Sequence, residues 1–354
     1  MSKTGHSFRI FIMFDNPIDL EDTIEFKWPF AQCEPDTILV TDFGVNIHYD
    51  RLSGASKKKV FNATRTKYLQ MVALGLSCLS SDRQPTPVYS SALYSIDGKA
   101  DEVIEVPSCL LNIELGNSVK QLPFQVVKRS FFDDQLAICL RIMISYCWAA
   151  AQAISQEERL KLLWGSFNAL YRYYYRTKNK KGNNETLMLD EVNKLFIREP
   201  IFVEAASVFS NEIEDSFKDF VRWKRLTGDK SRSICIAGAK GKQLDEKRDR
   251  LDMIDGNTLR FMRDFGCAGV PGKKRLKEEI EAAIDRAVVD NSSARRISLL
   301  LCRYIYMFRC NAVHAEVEYP VFDSKKENEN RKMADLLEAA VIDFSIYLAQ
   351  TGKA

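Results

Sequence analysis

"SQEERLKLLWGSFNALYRYYY", residues 155–175, sets the frame in which the rest of the chain is read. Leu160, Leu163, Trp164, Phe167, Leu170, Tyr171 and Tyr174 recur every three or four residues, the spacing that stacks side chains on one face of an α-helix. Ser155, followed three residues later by Glu158, has the form of a capping box, which satisfies backbone N–H groups at a helix start. The stretch predicts a long helix with one strongly apolar face, and such a face must pack on other helices.

The pattern continues upstream. In "SFFDDQLAICLRIMISYCWAAAQA" (130–153), Leu136, Cys139, Leu140, Met143 and Cys147 make a second apolar stripe. Asp133 and Asp134 precede it. Adjacent helical positions point about 100° apart, so these carboxylates do not make a shared acid–base dyad, and charge at a helix N-terminus accounts for them. Before "ELGNSVKQLP" (114–123) the grammar changes. "SFRIFIMF" (7–14), "TIEFKWPF" (23–30), "DTILV" (36–40) and "VYSSALYSI" (88–96) read as strands separated by Pro, Gly, Asn and Asp, with one helix expected within residues 57–78.

Downstream, residues 177–290 open with "TKNKKGNN", hold shorter helical patterns, and include the polar stretch 226–250. They read as an insertion between core helices. Helical spacing returns in "ARRISLLLCRYIYMFRCNAVH" (294–314), and a last helix places Met333, Leu336, Leu337, Ala340, Phe344 and Leu348 on one face. The expected fold is α+β: a β-rich N-terminal domain over residues 1–117, then an all-α domain over 118–354 interrupted at about 177–290.

With 354 residues, 46% of them apolar, the chain can fill a sizeable core. No signal-peptide pattern and no run of roughly 20 apolar residues is present, so a cytoplasmic protein with no membrane partner is expected. Nine scattered cysteines without a C-x-x-C pair suit reduced thiols. With three histidines in the chain, a His/Cys metal centre is not expected; carboxylate-bound magnesium stays open. The net charge of +3 does not mark a nucleic-acid binder, although the positive excess lies beyond residue 120. "GAKGK" (238–242) lacks the spacing of a phosphate loop and reads as a turn.

Two stretches carry candidate chemistry. "RYYYRTKNKK" (172–181) interleaves tyrosines with Arg172, Arg176, Lys178, Lys180 and Lys181, as a surface for single-stranded RNA would; a helix with a tyrosine core face and a basic solvated end has the same letters. "RYIYMFRCNAVHAEVEYPVFD" (303–323) sets Arg309 and His314 five residues apart where an apolar helical pattern ends. Asn311, three residues before His314, is placed to orient its imidazole or to contact a substrate. A snorkelling arginine with a helix-capping histidine is the structural alternative.

The pattern R-x-x-x-x-H, here Arg309-Cys310-Asn311-Ala312-Val313-His314, closes the penultimate core helix of an all-α region and precedes one long terminal helix. This resembles the HEPN superfamily, and "YMFRCNAVHAE" is most similar to its Apea-like branch, as is "ERLKLLWGSFNALYRYYY". The resemblance covers about residues 118–176 and 291–354. It implies a metal-independent endoribonuclease without cofactor, with Arg309 and His314 catalytic and completed by a second copy across a homodimer interface. It implies RNA, tRNA among the forms, as substrate, with roles in phage defence or toxin systems and a phage-derived or protein trigger. The polar assistant that often follows the arginine falls on Cys310, with Asn311 one position later. The alternative is a non-catalytic HEPN-like module that binds RNA, a nucleotide or a protein.

Overall fold

A computed structural model of the chain describes residues 6–17, 23–28, 36–51, 89–104, 122–132, 134–178, 180, 182, 184–220, 293–306, 308–309 and 324–352. It is mixed α+β. The described residues fall into two compact units, one drawn from Met1–Asn183 and Leu337–Ala354, the other from Asn184–Leu336. Among the described residues no helix is long and apolar enough to cross a membrane. The helix expected within 57–78 lies outside the described residues.

The first unit holds a six-stranded antiparallel sheet made of β1 (His6–Phe14), β2 (Ile24–Trp28), β3 (Asp36–Thr41), β4 (Gly44–Arg51), β5 (Tyr89–Ile96) and β6 (Glu102–Ile104). Their order is β2-β3-β4-β1-β5-β6. The alternation in the sequence becomes a buried face: Phe8, Ile10 and Ile12 on β1 oppose Tyr49, Ile47 and Val45 on β4, and Ile38 and Val40 on β3 extend the row. Phe8 and Tyr49 stack with centroids 4.9 Å apart, a cross-strand aromatic pair of the kind that pins register. β4 and β6 add to the four strand runs expected from the sequence. Between β5 and β6 the turn Ile96–Lys99 closes through Lys99 N–H to Ile96 C=O at 3.0 Å, with Asp97 at φ 53° and Gly98 at φ 68°. Both central residues at positive φ give the twist that suits a two-residue hairpin.

Gly44 sits where three strands meet, paired with Thr41 on β3 and Met13 on β1. A Cβ there would lie 2.1 Å from the carbonyl oxygen of Ile12, and φ is 158°. Backbone cannot swing aside as a side chain can. Gly44→Ala is therefore expected to destabilise the sheet by more than about 1 kcal/mol, read as a lowered denaturation midpoint, whereas Gly98→Ala meets no neighbour and is strained only by its φ.

The helices of this unit are α1 (Phe124–Arg129), α2 (Gln135–Ala151), α3 (Gln156–Thr177) and the later part of the terminal helix α8 (Ser324–Thr351). The capping expectation holds: the Ser155 hydroxyl accepts from Glu158 N–H, and the Glu158 carboxylate accepts from Ile154 N–H. Asp134 caps α2 by accepting from Ala137 N–H at 2.8 Å. Asp133 lies outside the described residues. All seven apolar positions quoted for α3 are buried, and so is the α8 face from Met333 to Leu348. Phe167 and Tyr174 of α3 pack on Phe344 of α8, with centroids 6.2 and 5.7 Å apart. Close contact between α2 and α3 depends on Gly165, over which the Tyr146 ring lies.

The second unit contains α4 (Glu185–Arg198), α5 (Val203–Glu212), a 3-10 turn (Glu214–Ser216), α6 (Phe217–Phe220), α7 (Ser293–Leu299) running into a π-helical stretch (Leu300–Ile305), and the first part of α8. The sequence places one regular helix over 294–314. The described part instead widens into π geometry through "LLCRYI", where every residue is buried. An all-round apolar run carries no phase of its own, so neighbouring packing sets the helix type.

Candidate functional site

Four arginines are described between Ser293 and Arg309; Arg295 is exposed, and the other three have very different surroundings. Arg296 and Arg303 are sunk in the second unit, with side chains 7% and 6% exposed. Arg296 reaches Glu214 at 3.4 Å and lies over the Phe217 ring at 5.7 Å. Arg303, inside the π-helical stretch, meets Asp190 of α4 at 2.5 Å. A buried guanidinium in close contact with a carboxylate acts as a structural tie, since either charge alone would be costly there. Arg309 differs. Its side chain is 34% exposed, and Nη1 stands 3.7 Å from Glu185 Oε2 in the first turn of α4. That separation lies beyond good hydrogen-bond range, so among the described residues this carboxylate is a neighbour of the guanidinium and not a close tie. His314, Cys310 and Asn311 lie outside the described residues.

The basic stretch 172–181 divides once folded. Tyr171, Tyr174 and Tyr175 are core residues. Lys178 lies over the Tyr174 ring at 5.0 Å and Lys180 over the Tyr175 ring at 5.9 Å, so these cations are engaged by rings of their own unit. Arg172 and Arg176 point another way, into a groove of about 410 Å³ between α2 and α3, beside Tyr173, Ile138, Ile142 and Ala169. Lys181 lies outside the described residues. The apolar wall of this groove was legible in α2, where Ile138 and Ile142 stand four residues apart away from the core stripe; both are exposed.

Beside the two arginines, the titratable groups at or near the groove are held neutral by burial or are paired. Burial, then the charge of Asp134, raises the Tyr173 phenol above its ordinary value. Burial works against the Asp134 carboxylate, but the Arg129 guanidinium at 2.6 Å and the Ala137 N–H outweigh it and leave its pKa lowered. Burial pushes the Cys139 thiol, which lines the groove floor, up to about 12, and does the same for Cys147 in the α2–α3 core. Neither is a nucleophile at neutral pH, because the thiolate is the reactive form. Iodoacetamide treatment of the native protein at about pH 7.5 is expected to leave Cys139 and Cys147 unlabelled by mass spectrometry, with labelling only after denaturation.

No family model, no curated protein and no solved structure matches this chain.

Proposed function

We propose that the chain is a metal-independent endoribonuclease with a HEPN-like helical domain, in which Arg309 and His314 act on RNA and a second copy in a homodimer completes the site. The observation that supports this reading is the contrast among Arg296, Arg303 and Arg309. Arg296 and Arg303 are buried and tied to carboxylates, whereas Arg309 presents a third of its side chain to solvent.

In this mechanism histidine removes the 2′-hydroxyl proton, the 2′-oxygen bonds to phosphorus, and the bond to the 5′-oxygen breaks. The departing oxygen takes a proton, leaving a 2′,3′-cyclic phosphate and a 5′-hydroxyl. Arginine, charged at every working pH, matches the phosphate with its planar fork and stabilises the added negative charge. Histidine exchanges protons near neutrality, and Cys310 or Asn311 assists. Regulation by a phage-derived or protein trigger, through the β-rich part or the insertion, and a cytoplasmic setting belong to the same proposal.

A non-catalytic module that binds RNA, a nucleotide or a protein is the second reading, and Glu185 beside Arg309 favours it, because a carboxylate there opposes a phosphate. The experiment that separates the two compares wild type with Arg309→Ala on tRNA and total RNA in EDTA. New ends made by wild type alone support the nuclease; binding without new ends, with or without trigger extracts, supports the module.

A further inference from the structure

The groove between α2 and α3 has a composition that the proposed cleavage site does not use. One wall is apolar and open to solvent, with Ile138 39% and Ile142 44% exposed. The other carries Arg172 and Arg176, one helical turn apart on the same face of α3. Among the described residues, no acidic one lines the groove. Two guanidinium groups at this spacing repel each other when nothing negative lies between them. Among the described residues, the buried Nε of Arg172 has no hydrogen-bond partner. Tyr173, between the two arginines in sequence, lends the groove an aromatic ring.

We infer that this groove seats one nucleotide of a single-stranded RNA, with its base against Ile138, Ile142 and Tyr173 and its flanking phosphate held by Arg172 and Arg176. The volume of about 410 Å³ falls in the small-ligand range of roughly 300–1,000 Å³. The chemistry divides as single-strand binding requires: an apolar and aromatic platform for a base of any identity, and cations for the backbone. Arginine suits the second task because its fork matches phosphate oxygens two at a time. A protein segment seated on the apolar wall would leave both guanidinium groups without an anion unless it carried acids of its own. The choice of RNA over other phosphate-bearing ligands rests on the reading proposed above, but the groove lies in a different unit from Arg309, so each can be tested without the other.

The test measures binding of the full chain to a fluorescein-labelled oligouridine in EDTA, by anisotropy across a salt series. Arg172→Ala/Arg176→Ala is expected to weaken binding at least about tenfold and to flatten the plot of log affinity against log salt by about 0.7, the value for one single-strand phosphate contact. Arg309→Ala serves as a cleavage-deficient background and is expected to keep the groove's contribution, so loss of cleavage with retained binding separates the two readings. UMP is expected to compete better than inorganic phosphate if the base is seated as inferred. Unchanged affinity and salt slope in the double arginine variant, with thermal unfolding like wild type, would overturn the inference. So would equal competition by phosphate and UMP. Ile142→Asp supplies a further check: weaker RNA binding with unchanged mass in sedimentation supports the inference, whereas a fall from dimer to monomer with RNA binding intact would make the groove a contact between two copies and overturn it.

Discussion

Arg309→Ala is expected to lower the rate of RNA cleavage about 100- to 1,000-fold, the loss typical when one preorganised donor to a developing anionic oxygen is removed. His314→Ala is expected to cost about 100- to 10,000-fold, the range for general acid–base catalysis. The double variant should fall little further than the weaker single one, because residues that act as a unit are not additive. Arg309→Lys discriminates further. It keeps the charge but loses the fork, so its rate should lie between those of wild type and alanine. Since the Arg309 side chain is already a third exposed and the carboxylate of Glu185 stands 3.7 Å away, the alanine variant should unfold within about 0.5 kcal/mol of wild type. Initial rates on tRNA in EDTA, measured beside thermal unfolding, check both halves. Equal rates for wild type, Arg309→Ala and His314→Ala would remove these residues from the mechanism.

Asp190→Ala is expected to cost about 3–5 kcal/mol, because it removes the carboxylate on which the buried Arg303 guanidinium closes. Total stability of a folded domain is about 5–15 kcal/mol, so the variant keeps only part of it. The effect should depend on the charge left behind rather than on the lost contact. Asp190→Ala/Arg303→Met, which removes both charges and fills similar volume, is expected to recover most of the loss. Urea denaturation followed by circular dichroism reads the size. Hydrogen exchange at the amides of α4 and of the π-helical stretch reads the location, and faster exchange there than in the sheet of the first unit is the expected signature. If the single and double variants lost the same stability, the pair would be contributing packing and not charge compensation.

Much of the local structure was legible because local patterns produce it. Alternation in "SFRIFIMF" and "DTILV" became the buried row of the sheet, and the three–four spacing in 155–175 became α3 with its Ser155 cap. The same rule carried the face of α8 from Met333 to Leu348. The π-helical stretch was not legible. "LLCRYI" is apolar on every side apart from its arginine, so its letters do not distinguish one helical width from another.

The candidate residues divide along the same line. The sequence by itself determined which side chains could do phosphate chemistry, since only arginine, lysine and histidine bring the charge and protons that Arg309, His314 and the run 172–181 supply. It also determined the helix that carries Arg172 and Arg176. Only the tertiary structure decided what each cation does. Arg303 and Arg309 stand six positions apart in sequence, yet one is closed against a carboxylate 113 residues away and the other is about a third exposed. Arg172 and Arg176 line a groove, while Lys178 and Lys180 cover tyrosine rings. The physical reason is that a charge takes its role from its desolvation and its nearest partners, and those come from segments remote in sequence.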